Sequence, residues 1–171
     1  MRASIAFAAL ALMIAPVHAD DVPKIAVFDF EMIDTSLQGE VSGPRADEQQ
    51  RLKAVGDQVR KELGESGKFN VVDIAPVNVA AHSNNLQACG GCEVELGQQL
   101  GADLVITGTV QKVSNLILNI NIYLHDVHTG KRVAAMSADM RGNTDESWSR
   151  ATRYLVHERL LASNYGAPQG R

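Results

Sequence analysis

The chain has 171 residues, of which 45% are hydrophobic and 5% aromatic, and its 16 Lys and Arg against 20 Asp and Glu leave a formal net charge of −4. That length suits one ordinary domain with a sizeable core. A mildly acidic chain without a basic stripe is a poor fit to nucleic acid or an anionic membrane surface, and a single tryptophan argues against a sugar- or base-stacking platform.

The first nineteen residues read as an export signal. Arg2 supplies the positive charge, Ile5 to Ala15 form an apolar run, Pro16 breaks it, and Val17-His18-Ala19 places small residues where a signal peptidase cuts. The run is too short for a membrane span, which takes about 20 residues, and no other segment reaches that length. No cysteine stands at the expected cleavage point after Ala19, so nothing there marks a bacterial lipoprotein. The expected organisation is a signal over 1–19, one α/β domain over 20–164 and a disordered tail over 165–171. The expected location is the periplasm.

Beyond the signal, Lys24-Ile-Ala-Val-Phe-Asp-Phe30 reads as a strand covered on both faces. Glu31 to Arg45 follows without periodicity, and an irregular stretch of that length inside a domain is often functional. Leu52, Val55, Val59 and Leu63 then recur at helical spacing, with Gly64 and Gly67 as the stop. Phe69 to Ile74 is a second strand, and Pro76 to Leu86 a weak helix or loop. Cys89-Gly-Gly-Cys92 opens a helix over Glu93 to Leu100, and Asp103 to Val110 is a third strand. Such alternation favours parallel pairing.

The second half changes pattern. Leu116, Leu118, Ile120, Ile122 and Leu124 alternate with Ile117, Asn119, Asn121, Tyr123 and His125, which describes a long strand with one wet face. His128 to Lys131 makes a turn, and Arg132 to Met140 returns as the hairpin partner. Asn143 with Glu146 marks a helix start, and that helix carries Trp148, Ala151, Leu155 and Leu160 inward. The expected fold is a mixed α/β sheet of about five strands in the order β-α-β-α-β-β-β-α, with helices packed on it.

The segments "KIAVFDF", "GKFNVVD", "LGADLVITGTVQKV" and "LHDVHTGKRV" resemble the amino-terminal domain of TolB and the curli-secretion lipoprotein CsgG, over most of residues 24 to 140. The resemblance implies that fold and the theme of docking in envelope assemblies. More closely, "VFDFEMIDTSLQGEVSGPRADEQ", "QACGGCEVELGQQLGAD", "VQKVSNLILNINI" and "DMRGNTDESW" look like a family of uncharacterised, predicted periplasmic proteins of proteobacteria. That family brings localisation and architecture but no established activity.

Four groups invite chemistry. Cys89 and Cys92, the only cysteines, should pair in an oxidising compartment. At a helix start they are either a structural staple or an exchangeable redox pair. A metal site would need more ligands than these two and His82 supply. His125 and His128 read as solvated hairpin residues whose rings point to different faces, and His157 as part of a solvated helix face. Asp29, Glu31 and Asp34 gather at the end of the first strand, where open α/β sheets hold ligands. There they either pair with Arg45, Arg141 and Arg150 or present a binding surface. Asn119, Asn121 and Tyr123 line the wet strand face, which would accept another strand if it lay at the sheet edge. No nucleophile or activated serine accompanies the acids, and "GESGKF" lacks the spacing of a phosphate loop.

These features point to a non-catalytic periplasmic binding or adaptor module without a cofactor, whose partner is another envelope protein. Thiol–disulfide exchange through Cys89 and Cys92 is the alternative, and carriage of a small ligand or metal at the acidic group is a third reading.

Overall fold

The computed structural model describes residues 22–163 and 165, so the expected export signal and nearly all of the expected tail lie outside the described residues. Lys24–Val27 form β1, whose last three residues are buried on both faces. β1 pairs in parallel with Asn70–Val71 (β3) on one side and Leu104–Ser114 (β4) on the other. Ile117–Asp126 (β5) and Arg132–Met140 (β6) then continue the sheet as an antiparallel meander, giving the order β3-β1-β4-β5-β6.

A further strand, β2 (Glu31–Asp34), also runs parallel to β4, beyond the end of β1. Val27 stands opposite Ile106 and Glu31 opposite Thr109, so Phe28 to Phe30 face only Thr107 and Gly108. This one-residue bulge inverts the parity of the strand. Ile25 and Val27 face the main core before it, and Phe30 and Met32 after it. The stretch expected to be an irregular loop over 31–45 therefore contains a strand and a short helix, Leu37–Ser42 (α1). Neither has a regular apolar signature, because the bulge breaks the alternation and α1 buries none of its residues. Local capping shapes α1 instead: Ser36 accepts from the Gly39 amide, and Asp34 from the Ser36 amide.

Two helical layers cover the sheet. On one face lie Ala46–Glu65 (α2) and Asp145–Tyr154 (α5), the latter continuing as a π-helical turn over Leu155–Leu160. Leu52, Val55, Val59 and Leu63 of α2, at the expected helical spacing, meet Trp148, Ala151, Leu155 and Leu160 there. On the other face Asn78–Ser83 (α3), after a short 3₁₀ turn, and Cys92–Gln99 (α4) bury Ala26, Phe28, Val105 and Val127 in a smaller core. The helix expected to begin at Asn143 is capped by Thr144, whose hydroxyl accepts from the Ser147 amide. Asn143 itself turns inward. Leu116 lies in the β4–β5 turn and is exposed, so it does not share the buried face of β5.

Gly108 lies under the Phe30 ring, which occupies the space a Cβ would fill. The bulge that brings Phe30 over β4 therefore requires glycine there. Gly108→Ala is expected to cost about 1–3 kcal/mol by overpacking, read as a lower urea midpoint with unchanged slope.

Candidate functional site

The C-terminal end of β4 is held by a buried lysine. The bulge that inverts the first strand also brings Asp34 opposite Lys112 on the core side. Lys112 Nζ donates to Glu48 Oε1 of α2 at 2.7 Å, to Asp34 Oδ2 at 3.1 Å and to Gln38 Oε1 of α1 at 3.3 Å. The lysine side chain is 0% exposed and that of Glu48 2%. Burial alone would lower the Lys112 pKa, but the hydrogen bonds and charges of Glu48 and Asp34 outweigh it and hold the ammonium above its usual range. Burial would likewise raise Asp34, yet Ser36 and Lys112 bring it below the ordinary carboxylate value.

The same network reaches the β4–β5 hairpin tip. Asn143 Nδ2 donates to Glu48 Oε1 at 2.6 Å and to Asn115 Oδ1 at 3.2 Å, and Asn115 donates to Gln38. Trp148 Nε1 donates to Asn143 Oδ1 at 3.0 Å, tying α5 to the same point. On the outer side of this frame sit Val113, the extra residue of a bulge in β4, and Leu116 and Ile117 at the turn. Leu37 and Val41 stand one turn apart on the neighbouring α1, so the two elements together expose five large apolar side chains, Leu116 by 73% and Val41 by 78%. The acid–lysine network and these exposed residues both escape a reading from periodicity. The available signal is Leu116-Ile117 directly after Ser114-Asn115, two apolar residues where a turn favours polar ones.

The acidic group at the end of the first strand does not converge. Asp29 pairs with Arg60 of α2 and lies 3.3 Å from His82 Nε2. Glu31 accepts from the Leu86 amide at 3.1 Å, and burial raises its pKa against that bond. Asp34 faces Lys112. The expected partners are elsewhere: Arg45 bonds Asp47, Arg150 bonds Glu146, and Arg141 is exposed beyond the end of β6 with no ion pair among the described residues. A cleft of about 670 Å³ opens beside Asp29, lined also by Lys53, Asp57, Asp73 and His82. Its Arg60 is already bound to the Val27 carbonyl, Asp57 and Asp29, and its Lys53 pairs with Asp57, so both cations have carboxylate partners.

Asn119, Asn121 and Tyr123 do share the less covered face, in register with Gln111, Thr109 and Thr107 of β4 and Asp139, Ser137 and Ala135 of β6. β5 is an inner strand, however, with both backbone edges paired, so strand addition to it is ruled out and the free edge belongs to β6. Asn119 bonds Asp139 and Asn121 bonds Thr109, while Arg132 stacks over the Tyr123 ring.

Cys89 and Cys92 form a disulfide with Cα atoms 5.6 Å apart. Gly91, at φ 113°, occupies the N-cap of α4, so Cys92 is its first helical residue. A ring this small gains about 2 kcal/mol from loop entropy. His82 lies on Asp29 and does not join the cysteines. Glu93 does: its Oε2 lies 3.6 Å from Cys89 Sγ, and among the described residues these three make the only cluster of metal-ligand type. Nor is His125 solvated. Its side chain is 15% exposed, with Nε2 3.8 Å from Glu93 Oε1 and a buried Nδ1 that has no partner. Burial lowers its pKa against the pull of Glu93, and Arg132 adds to the lowering. His128, as expected, turns elsewhere, to Asp103 at 3.0 Å, and the half-exposed His157 ring meets Glu62 at 3.4 Å.

The fold is similar to that of bacterial LpoB C-terminal domains. The LpoB C-terminal domain from Salmonella enterica matches with a TM-score of 0.52 and 15% identity, covering 70% of this chain and 83% of that one. The LpoB C-terminal domain from Escherichia coli gives 0.51 and 14%, over 69% and 82%. TolB from Acinetobacter baumannii gives 0.45 and 16%, over 84% of this chain and 29% of that one. No helix among the described residues is long and apolar enough to cross a membrane.

The chain belongs to the family described as "Protein of unknown function (DUF2380)", whose model matches residues 23–160. No curated protein matches it.

Proposed function

We propose that this chain is an exported docking module that binds another envelope protein through the β4–β5 hairpin tip and α1. The observation that carries the reading is that Leu37, Val41, Val113, Leu116 and Ile117 are all exposed on two neighbouring elements, joined through Gln38 to Lys112 and Asn115. Single exposed apolar residues are ordinary, whereas a contiguous group of them marks an interaction site. A rigid frame adds to this, because a preorganised surface loses little freedom on binding. The half-buried row of Asn119, Asn121 and Tyr123 runs from the tip along the same sheet and supplies a polar flank. The acidic residues Asp29, Glu31 and Asp34 and the cation Arg45 act as internal pairing and capping groups that hold this end of the fold.

Export fits the leader over residues 1–19 and the disulfide, which forms and persists in oxidising compartments. A photo-crosslinking residue at position 116 of the full chain, expressed in its native envelope, is expected to give one discrete heavier adduct. The same residue at exposed Val79 on α3 should give none. The Leu37→Asp/Val41→Asp pair should remove the adduct at 116 without lowering the melting temperature. An absent adduct at 116, or one that survives the pair of charges, refutes this surface.

A further inference from the structure

The disulfide lies in surroundings that a staple does not require. Glu93, whose side chain is only 10% exposed, is directed at the sulfur of Cys89. The His125 ring stands 3.8 Å from its Oε1, beyond hydrogen-bond distance. Burial makes a carboxylate depend on the hydrogen-bond donors close to it. In the oxidised pair the neighbouring sulfur has no hydrogen to offer. Reduction changes this, because the Cys89 thiol can then donate to Glu93 across the 3.6 Å contact. Cys92, as the first residue of α4, is placed where free amide groups and the helix dipole favour a thiolate. Both features stabilise the reduced form, and that raises the reduction potential of a pair. Both cysteines are half-buried, so the pair lies at the surface of the fold.

We infer that Cys89 and Cys92 are an exchangeable redox pair that oxidises a dithiol, with Glu93 carrying the proton of Cys89. A thiolate of the dithiol attacks Cys92 Sγ, forming a mixed disulfide and breaking the Cys89–Cys92 bond. Cys89 leaves with the electron pair and takes up a proton through Glu93. The second thiolate of the dithiol then attacks its own sulfur in the mixed disulfide and releases Cys92 as the thiolate. Two electrons pass to the protein and the dithiol becomes a disulfide. One of its two protons ends on Cys89 and the other goes to solvent. Glu93 of α4, His125 of β5 and Arg132 of β6 are the ionisable groups around this path. The inference is independent of the hairpin-tip reading, since it uses a different part of the surface.

The full chain, purified oxidised, is equilibrated with mixtures of reduced and oxidised glutathione, and thiols are counted by a maleimide mass shift. Its reduction by dithiothreitol is followed by stopped alkylation. The pair is expected to be substantially reduced within the glutathione range. Glu93→Gln should slow reduction and reoxidation alike, by about a hundredfold, the scale of a positioned proton carrier. A pair that stays oxidised in excess reduced glutathione overturns the inference, and so does a Glu93→Gln variant that exchanges at the wild-type rate. Because the wild-type equilibrium decides the first point alone, failure of the variant to fold leaves the inference open to refutation.

Discussion

Lys112→Met is expected to destabilise the fold by about 3–5 kcal/mol, the cost of removing one partner from a buried charge group. The substitution keeps the length of the side chain and removes the cation shared by Glu48 and Asp34. Both carboxylates then remain at the end of β4 with no cation between them. Urea denaturation at pH 7 measures the loss directly. The pH dependence distinguishes this cause from simple misfit. In the wild type, the lowered Asp34 pKa gives stability that is present above the ordinary value near 3.9 and is lost as pH falls through the lowered one. The raised Lys112 pKa gives stability present below about 10.4 and lost as pH rises through the folded value. The Asp34–Lys112 pair is therefore complete from about pH 4 to pH 10. In the methionine variant Asp34 loses the ammonium that lowers its pKa, so its protonation comes at higher pH and the difference from wild type should narrow toward acid pH. A deficit that is constant from pH 4 to pH 8 would assign the loss to packing. Replacing Glu48 and Lys112 together by methionine should recover part of the stability, because a buried pair is often no better than an apolar one of similar volume.

Trp148→Ala should cost about 3–5 kcal/mol through the cavity it opens between α2, α5 and the sheet. Its effect extends further than the cavity. Trp148 holds Asn143, and Asn143 holds both Glu48 and the Asn115 side chain at the hairpin tip. Amide exchange at Asn115, Leu116 and Ile117 should therefore rise in Trp148→Ala relative to a core truncation of similar cost on α2, such as Leu63→Ala. Trp148→Phe, which fills most of the space and loses the indole donor, should cost about 1–2 kcal/mol and still loosen the tip. Equal tip exchange in the tryptophan and leucine variants would show that the network does not transmit to the surface.

Periodicity carried much of the fold. The spacing of Leu52, Val55, Val59 and Leu63 specified α2, and the strict alternation of Leu118 to Leu124 specified β5 and which of its faces is buried. The Arg132–Met140 return followed from the turn at Gly130, whose φ of 68° suits glycine. Where local rules compete with tertiary ones, the reading weakened. A bulge in the first strand hid β2, since alternation is legible only while parity holds. α1 has no buried face and leaves no amphipathic trace. Asn143 looked like a helix cap because its side chain suits that role, but the long-range bonds to Glu48 and Trp148 claim it.

The candidate sites divide in the same way. The cysteine spacing and its place at a helix start are properties of adjacent residues, so the disulfide and the first turn of α4 were determined by the sequence alone. The same holds for the alternation that leaves Asn119, Asn121 and Tyr123 off the core. What those groups face was decided only by the folded chain. β5 became an inner strand because β6 pairs along its other edge. Asp29, Glu31 and Asp34 separated because they face α2, the loop after α3 and the core in turn. Lys112, a single charge in an otherwise strand-like run, is buried because Glu48 lies 64 positions away in the chain and 2.7 Å away in space. Local pattern sets which residues can be inside; the partners that make a buried charge or a directed carboxylate tolerable come from distant segments, and only their packing brings them together.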